Sequence, residues 1–297
     1  MKEDKMSKFA HITSVHPCYN EKLHHKVGRV HLPVAPKCNI ACRFCKRSIG
    51  AESVCEDRPG VSNHIMKPSE VENYLTDLLE RMPNIQVAGI AGPGDSLFNE
   101  ETFETLEILK EKFPKMVRCL STNGLLLPKY AERLAELGIK TVTVTVNAVD
   151  PKIQAKIVDW VYFEGKIYRG EEGAKLLIKN QIEGVKMLSE RDVAVKINTV
   201  LIPEINGEHV IDIAKTFEKD AFVQNIIPLI PMYKMDNLRR PTCEEISNIR
   251  DTAEEYVHQF RACQQCRADA AGLLSEQKHL SEKGKKLDIY DLKHFSH

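Results

Sequence analysis

The fold class follows from two adjacent segments, Val27-Gly-Arg-Val-His-Leu-Pro-Val34 and Cys38-Asn-Ile-Ala-Cys42-Arg-Phe-Cys45. The first is an apolar, β-rich run that predicts a buried strand. The second places three cysteines at CxxxCxxC spacing directly after that strand, and three thiolates this close can hold a four-iron cubane while leaving one iron open. An open position is typical of a catalytic metal site rather than a structural one. A zinc knuckle or a chance grouping of cysteines is the alternative.

Apolar runs of the same kind recur along the chain as far as residue 230. They alternate with helical patterns and span Ile85–Ile90, Met116–Leu120, Thr141–Val146, Val193–Ile202 and Phe222–Ile230. Such runs are typical of parallel strands buried on both faces. Six strand–helix units are fewer than a closed eightfold barrel needs. We therefore expect an α/β fold in the form of a partial, TIM-like (β/α)6 barrel. A doubly wound sheet is the alternative, because spacing does not give strand order.

Capping-box patterns predict two helix starts. Ser69 with Glu72, after Pro68, marks the first, and Thr242 with Glu245 marks the second. The second helix is expected to continue as far as Phe260, because apolar residues at helical spacing reach that position.

Composition limits the function classes. The 297 residues include 42 basic and 42 acidic side chains, and zero formal net charge argues against a general nucleic-acid binder. No apolar run approaches the roughly 18 residues of a membrane span, and the charged N-terminus does not resemble a secretory signal. Nine cysteines, an odd number, in such a chain predict a reducing cytoplasmic location without a disulfide framework.

Polar residues follow several of the predicted strands, where folds of this class build their sites. Glycines let the backbone approach a ligand, and an aspartate can accept bonds from an ammonium group. Each residue is also compatible with an ordinary turn or cap, above all the Asn before Gly124. The candidates for cofactor binding are Gly92, Gly94, Asp95, Ser121, Thr122, Asn123, Asn147 and Asn198, with Lys196 on the same strand as the last.

Six cysteines lie outside the triad. Cys263-Gln-Gln-Cys266 can grip one metal centre, and its spacing alone is compatible with zinc, redox or cluster chemistry. His16-Pro-Cys18 and His24-His25 add ligands near the N-terminus. Cys243, at a predicted helix start, is interpreted as structural.

The triad after a first strand resembles the radical S-adenosylmethionine (SAM) superfamily, in which the turn after the second strand holds the methionine amino group. Further motifs resemble the NifB family of that superfamily, the enzymes of nitrogenase cofactor biosynthesis, over roughly residues 14–275. The motifs are HPCYNE from His16, CNIACRFC, RPGV from Arg58, IAGPGD ending at Asp95, STNG from Ser121 and CQQCRADAAG from Cys263. Many members carry an added C-terminal domain, whereas this chain resembles the short forms of methanogenic archaea.

The resemblance implies a specific chemistry. The cluster on Cys38, Cys42 and Cys45 would bind SAM and split it to a 5′-deoxyadenosyl radical, and a second SAM would donate a methyl group. Two [4Fe–4S] units would fuse around the resulting carbide, with an added sulfur, to an 8Fe–9S–C precursor of the iron–molybdenum cofactor. The implied partners are a low-potential electron donor of the ferredoxin or flavodoxin type, cluster donors and downstream nitrogenase assembly proteins, with neither nucleic acid nor membrane.

Under the same resemblance, two further clusters need ligands. We group Cys18 with Cys263 and Cys266, and His24 with Cys55 and Cys119; His25 is the second choice for the imidazole. Glu56, Asp57 and Arg58 beside Cys55 would shield or protonate intermediates, with solvated surface charges as the alternative. The expected organisation is an N-terminal ligand-bearing extension over 1–26, the barrel over 27–260, and a C-terminal CxxC segment with a polar tail over 261–297.

Three rival interpretations remain open. One is another radical SAM maturase with auxiliary clusters, such as a peptide-modifying enzyme, although only one CxxC is present. The second is a non-catalytic iron–sulfur scaffold, which needs no SAM site. The third is a zinc-binding structural protein.

Overall fold

The computed structural model describes residues 9–50, 53 and 55–275. The strands of this part are β1 (Gly28–His31), β2 (Ile40–Cys42), β3 (Ser48–Ile49), β4 (Val61–Ser62), β5 (Ile85–Ile90), β6 (Val117–Thr122), β7 (Thr141–Thr145), β8 (Val158–Phe163), β9 (Lys166–Tyr168), β10 (Ala194–Leu201), β11 (Val223–Pro228) and β12 (Ala271–Gly272). The helices are α1 (Ala10–Thr13), α2 (Pro68–Arg81), α3 (Glu100–Lys112), α4 (Leu127–Glu136), α5 (Pro151–Ile157), α6 (Gly170–Ser189), α7 (Pro203–Asn206), α8 (His209–Phe217) and α9 (Cys243–Ala253). The expected polar tail runs from Ser275 to His297, and all of it after Ser275 lies outside the described residues.

Strand order confirms the partial barrel. The main sheet runs β11-β10-β7-β6-β5-β1-β12, so its six parallel strands follow one another in chain order. A doubly wound sheet would reverse direction at a switch point, and this one does not. The short β12 pairs antiparallel with β1 and covers the edge that an open barrel leaves unpaired.

The two faces of the sheet differ more than the apolar runs predicted. Val30, Leu120 and Val142 face outward, because they belong to the large core formed with the helices. Successive side chains in a strand point to opposite faces, so their neighbours face the barrel interior. Those interior positions carry mainly polar, basic or thiol side chains: Arg29, His31, Cys119, Ser121, Thr141, Thr143, Lys196 and Asn198.

One helix start differs from the prediction. α2 begins at Pro68, and the main-chain N–H of Lys67 donates to Glu70 Oε2 at 2.6 Å. The Ser69–Glu72 capping box is therefore wrong, since proline at the first helical position fixes the start earlier. At α9 the Thr242–Glu245 box is confirmed by bonds of 3.1 and 2.7 Å between the two residues. That helix ends at Ala253, short of Phe260.

Helices of the described residues are too short or too polar to cross a membrane.

Candidate active site

The cysteine triad lies in a loop that a second small sheet holds in place. β2 pairs antiparallel with β8, and β8 pairs with β9, so the loop is clamped to a hairpin. The N–H of Arg43 donates to Ile157 O at 2.9 Å, and the N–H of Tyr162 donates to Asn39 O at 2.7 Å. Cys38 and Cys42 are half-buried and Cys45 is exposed. The backbone of the loop is thus fixed by main-chain bonds on both sides of Cys42.

The three thiols interact with one another electrostatically. Burial raises the pKa of Cys38 to about 12, and the nearby Asp95 carboxylate adds to the effect. Burial also raises the pKa of Cys42 well above its usual range, and Cys45 and Cys38 raise it further. Burial raises the pKa of Cys45, while Arg47 and Arg58 oppose the rise. A group that binds here as a cation would take these sulfurs as thiolates.

The donor set is one of thiols held in a single loop. Besides burial, Cys45 raises the pKa of both Cys38 and Cys42, so the three sulfurs are close enough to affect one another. Thiolates are the usual ligands of iron–sulfur clusters. The residues therefore fit an iron–sulfur cluster on Cys38, Cys42 and Cys45.

The glycine turn after β5 packs directly against the segment that leads into the triad. The N–H of Gly94 donates to Ala35 O at 2.6 Å, and the N–H of Asp95 donates to Lys37 O at 2.8 Å. A Cβ on Gly94 would lie 2.2 Å from Lys37 O, so only glycine fits this approach. Gly92 has a φ of +116°, which also favours glycine.

Asp95 joins this turn to the end of β6. Its carboxylate accepts from the N–H of Leu97 at 3.0 Å, from Thr122 Oγ1 at 3.0 and 3.1 Å, and from the N–H of Asn123 at 2.6 Å. Burial raises the pKa of Asp95 to about 6, although these donors oppose the rise. Most of the acceptor capacity of this carboxylate is used within the protein.

The remaining polar candidates divide into two sets. Asn123 approaches the triad, since its Nδ2 donates to Asn39 Oδ1 at 2.7 Å and lies 3.9 Å from Cys38 Sγ. Ser121, which lies on β6 two residues before Asn123, faces the barrel interior. Asn147 Oδ1 instead accepts from the N–H of Val200 at 2.9 Å.

Asn198 and Lys196 lie within β10 rather than at its carboxyl end. The Asn198 side chain accepts from Asn225 Nδ2 at 2.7 Å. These two residues therefore line the wall of the barrel, whereas the sequence had placed them at its rim.

Cys18, Cys263 and Cys266 come together around a buried arginine. Cys18 and Cys263 pack against the same apolar cluster, and burial raises the pKa of Cys18, with Cys266 and Cys263 both adding to the rise. Arg29 Nη2 lies 3.1 Å from Cys266 Sγ, and Nη1 donates to Gly272 O at 2.8 Å. The arginine thus ties the CxxC segment to β1.

Cys119 shares an interior row with a histidine that the sequence analysis missed. His31 pairs with Gly89, and Gly89 pairs with Cys119, across three adjacent strands. A Cβ on Gly89 would lie 2.7 Å from Cys119 Sγ and 3.5 Å from His31 Cδ2. The missing side chain leaves a gap between imidazole and thiol.

The chemistry of this pair suits metal ligation. His31 Nδ1 lies 2.9 Å from Arg267 O, which leaves Nε2 on the other side of the ring. Burial and the nearby Arg29 cation lower the pKa of His31 to about 4, so the ring is neutral at neutral pH. Burial raises the pKa of Cys119 to about 12. A neutral imidazole that is oriented by a carbonyl is the usual ligand form of histidine.

The other predicted members of this set have different neighbours. His24 is buried with its Nε2 3.0 Å from Pro17 O, and its ring lies 6.0 Å from that of Phe260. His25 is exposed. Cys55 is exposed in the loop between β3 and β4. It is His31, rather than His24, that shares Gly89 with Cys119.

The loop of Cys55 is tied down on both sides. The Arg58 guanidinium pairs with Glu56 and donates to Lys46 O, next to Cys45. Arg267 Nη1 donates to the carbonyls of Ser53 and Glu56. The loop therefore connects the triad to the C-terminal segment. Cys243, the first residue of α9, is exposed.

One signal in the sequence could have revealed Arg29 and His31. They alternate with Val30 and Leu32 in a strand that is otherwise apolar. Two basic side chains at a spacing of two residues share one face of a strand. Each strand of this fold has one face toward the helices and one toward the barrel interior, so the basic face is the interior one.

Comparison with known proteins agrees with this geometry. The radical SAM superfamily model matches residues 32–217. The FeMo cofactor biosynthesis protein NifB of Methanocaldococcus jannaschii is 63% identical over 301 residues, covering 100% of both chains. The chain belongs to the NifB family of radical SAM enzymes. Membership in the superfamily implies a [4Fe–4S] cluster and SAM.

Further relatives of the NifB family differ in length. The Bradyrhizobium diazoefficiens protein of the same description is 40% identical over 289 residues, covering 93% of this chain and 58% of that protein. Among solved structures, Streptococcus suis SuiB has a TM-score of 0.59 at 13% identity, covering 89% of this chain and 60% of that chain. At that identity the likeness shows the fold alone, and the fold is the one the strand order gives.

Proposed function

We propose that this chain fuses two [4Fe–4S] substrate clusters, with a SAM-derived carbide and an added sulfur, to the 8Fe–9S–C precursor of the FeMo cofactor. One observation carries the proposal: the barrel interior holds two adjoining thiol groups besides the triad, since Cys18 of the first adds to the effect of burial in raising the pKa of Cys119 of the second. Cys18, Cys263 and Cys266 form one, and Cys119 across Gly89 from His31 forms the core of the other. Each group offers ligands for one of the two substrate clusters.

The proposed SAM site uses Cys38, Cys42 and Cys45 as ligands. A [4Fe–4S] cluster bound there supplies the electron that cleaves SAM. We assign the amino group of the SAM methionine to main-chain oxygens of the Gly92–Asp95 turn. The Asp95 carboxylate is a weaker candidate, because it already accepts hydrogen bonds from three donors within the protein. Asn123 positions this site, since its amide lies between Asn39 and Cys38 Sγ.

The two substrate clusters lie deeper in the barrel. Cys119 precedes Asn123 by four residues, about 13 Å along β6 at the usual rise of a strand. This separation brings a cluster on Cys119 within reach of a SAM molecule at the end of the same strand. Cys55, on the loop that Arg58 and Arg267 fasten, completes the second set as an exchangeable third ligand.

The imidazole of the second set is His31 in this proposal, with His24 as the alternative from the motif. His31 supports the assignment through its neutral ring, its oriented Nδ1 and its place across Gly89 from Cys119. Glu56 beside Cys55 is proposed to protonate or shield the substrate at that end, with Arg58 holding its carboxylate.

The terminal segments, 1–26 and 261–297, contribute ligands to the barrel over 27–260 in this scheme. The proposed partners are a ferredoxin or flavodoxin as electron donor, cluster donors, and nitrogenase assembly proteins that accept the product. The proposed setting is the cytoplasm, where thiols stay reduced.

The test is anaerobic reconstitution with iron and sulfide, followed by SAM and reductant and then by apo-nitrogenase. We expect about twelve irons per chain if each site holds a cubane. We also expect 5′-deoxyadenosine and activation of the apo-nitrogenase. Saturation near four irons would remove both substrate sites. A full iron count without SAM cleavage would instead identify a scaffold.

A further inference from the structure

Lys196 places an ammonium group inside the barrel. The residue is only 6% exposed, on an interior position of β10. Its Nζ donates to Cys18 O at 3.2 Å, and it lies 4.9 Å from the ring centre of Tyr19 and 5.4 Å from that of Phe260. A carbonyl and two aromatic faces stabilise a cation only in part.

Among residues 9–50, 53 and 55–275, which the structure describes, no carboxylate forms an ion pair with this ammonium group. Asp269 pairs with Arg267, and Asp95 is bound by Thr122 and Asn123 at the far end of β6. Burying a cation without an anion is costly.

The position of Lys196 relates it to both groups of thiols. It lowers the pKa of Cys18, a member of the first group, and the pKa of Cys119, a member of the second, in each case against the effect of burial. It pairs in register with Thr143, which pairs with Ser121, two residues beyond Cys119. The cation therefore lies near members of both proposed substrate sites, against Cys18 on one side and on the same interior face as Cys119.

We propose that Lys196 is the shared counter-cation of the two substrate-cluster sites, a positioning residue that offsets the repulsion between two anionic thiolate-bound clusters. The inference rests on the proposed function above. A fixed positive charge between two negative groups lowers the work of bringing them together in a medium of low dielectric constant. The same charge destabilises the cluster-free protein, because nothing there balances it.

The charge is expected to stabilise the protein with clusters bound and to destabilise the protein without them, and the test compares these two states. Lys196→Met removes the charge and keeps a long apolar side chain, Lys196→Arg keeps the charge, and Lys179→Met on the exposed face of α6 is the matched control. In the cluster-free protein we expect Lys196→Met to unfold a few degrees higher than wild type, and the other two variants to stay close to it.

In the loaded protein the order reverses. We expect Lys196→Met to retain fewer irons than wild type after desalting and to shift the potentials of the two substrate clusters downward, with the SAM-cluster signal unchanged. Lys196→Arg should restore iron and potentials.

Two results would overturn the inference. One is a Lys196→Met variant that is less stable without clusters and is not rescued by Arg, which indicates packing alone. The other is unchanged potentials in a variant that holds about twelve irons. Failure of the proposed function is distinguishable, since wild type itself would then saturate near four irons, and that result removes this inference with it.

Discussion

Gly89→Ala tests whether the gap between His31 and Cys119 is a cluster site. The added Cβ would lie 2.7 Å from Cys119 Sγ and 3.5 Å from His31 Cδ2. Non-bonded heavy atoms sit at about 3.5–4.0 Å at their optimum, so the thiol must move by roughly 1 Å or turn out of the gap. Either movement removes Cys119 from its place opposite the imidazole.

The fold should survive this change. Overpacking of this kind costs about 1–3 kcal/mol, and replacing glycine by alanine within a strand returns roughly 0.5–1 kcal/mol. The net cost is small beside a typical stability of about 5–15 kcal/mol. The expected result is therefore a folded protein that lacks one substrate cluster, with about eight irons in place of twelve.

The assay combines anaerobic reconstitution, iron and sulfide counts, and electron paramagnetic resonance of the reduced protein. SAM cleavage to 5′-deoxyadenosine should persist, because the triad lies beyond the carboxyl end of β6, near Asn123. Gly165→Ala is the control, since that glycine has a φ of +80° and its Cβ would meet nothing within 4 Å. It imposes a local backbone cost without touching a ligand.

A Gly89→Ala protein with a full iron count and unchanged spectra would refute the reasoning. If the variant unfolds, Cys119→Ala gives the same test without added volume, and the same loss of about four irons is expected.

Three further substitutions separate the sites. Cys42→Ala should abolish 5′-deoxyadenosine formation with the fold retained, because the loop lies outside the strand core; wild-type SAM cleavage would contradict the triad assignment. Cys263→Ala should remove the signal of one substrate cluster, leaving about eight irons and an intact SAM cluster; an unchanged spectrum would exclude this ligand. His31→Ala should disturb the other substrate cluster and block product formation, whereas His24→Ala should do so less. Equal cofactor yield from His31→Ala and wild type would restore His24 as the candidate.

Much of the fold was predictable because each buried parallel strand appears in the sequence as a continuous apolar run. The runs Ile85–Ile90 and Thr141–Val146 match β5 and β7 within a residue. The start of α2 was not predictable from the capping-box pattern alone. The Ser69–Glu72 pattern overlaps the observed start at Lys67, where Pro68 occupies the first helical position.

The triad and the CxxC pair were predictable for a similar reason. Their members are close in sequence, so spacing alone brings them together. The partner of Cys119 was not, because His31, Gly89 and Cys119 meet only through the register of three strands. Without the strand register, the sequence identifies Cys119 as a candidate ligand but does not show that His31 lies across Gly89 from it.

The placement of the proposed ligands also bears on how a product can leave. His31 and Cys119 lie on paired strands, whose positions are fixed by the ladder of the sheet. Cys55 lies on an exposed loop that Arg267 and Arg58 fasten through a few side-chain bonds. Local opening starts where a residue is exposed, so Cys55 is the proposed ligand that can be released first. Because Arg267 follows Cys266 directly, the same opening would loosen the segment that holds the other cluster. A fused product bound by both groups would then be freed by one movement, while the strands keep the geometry for the next pair.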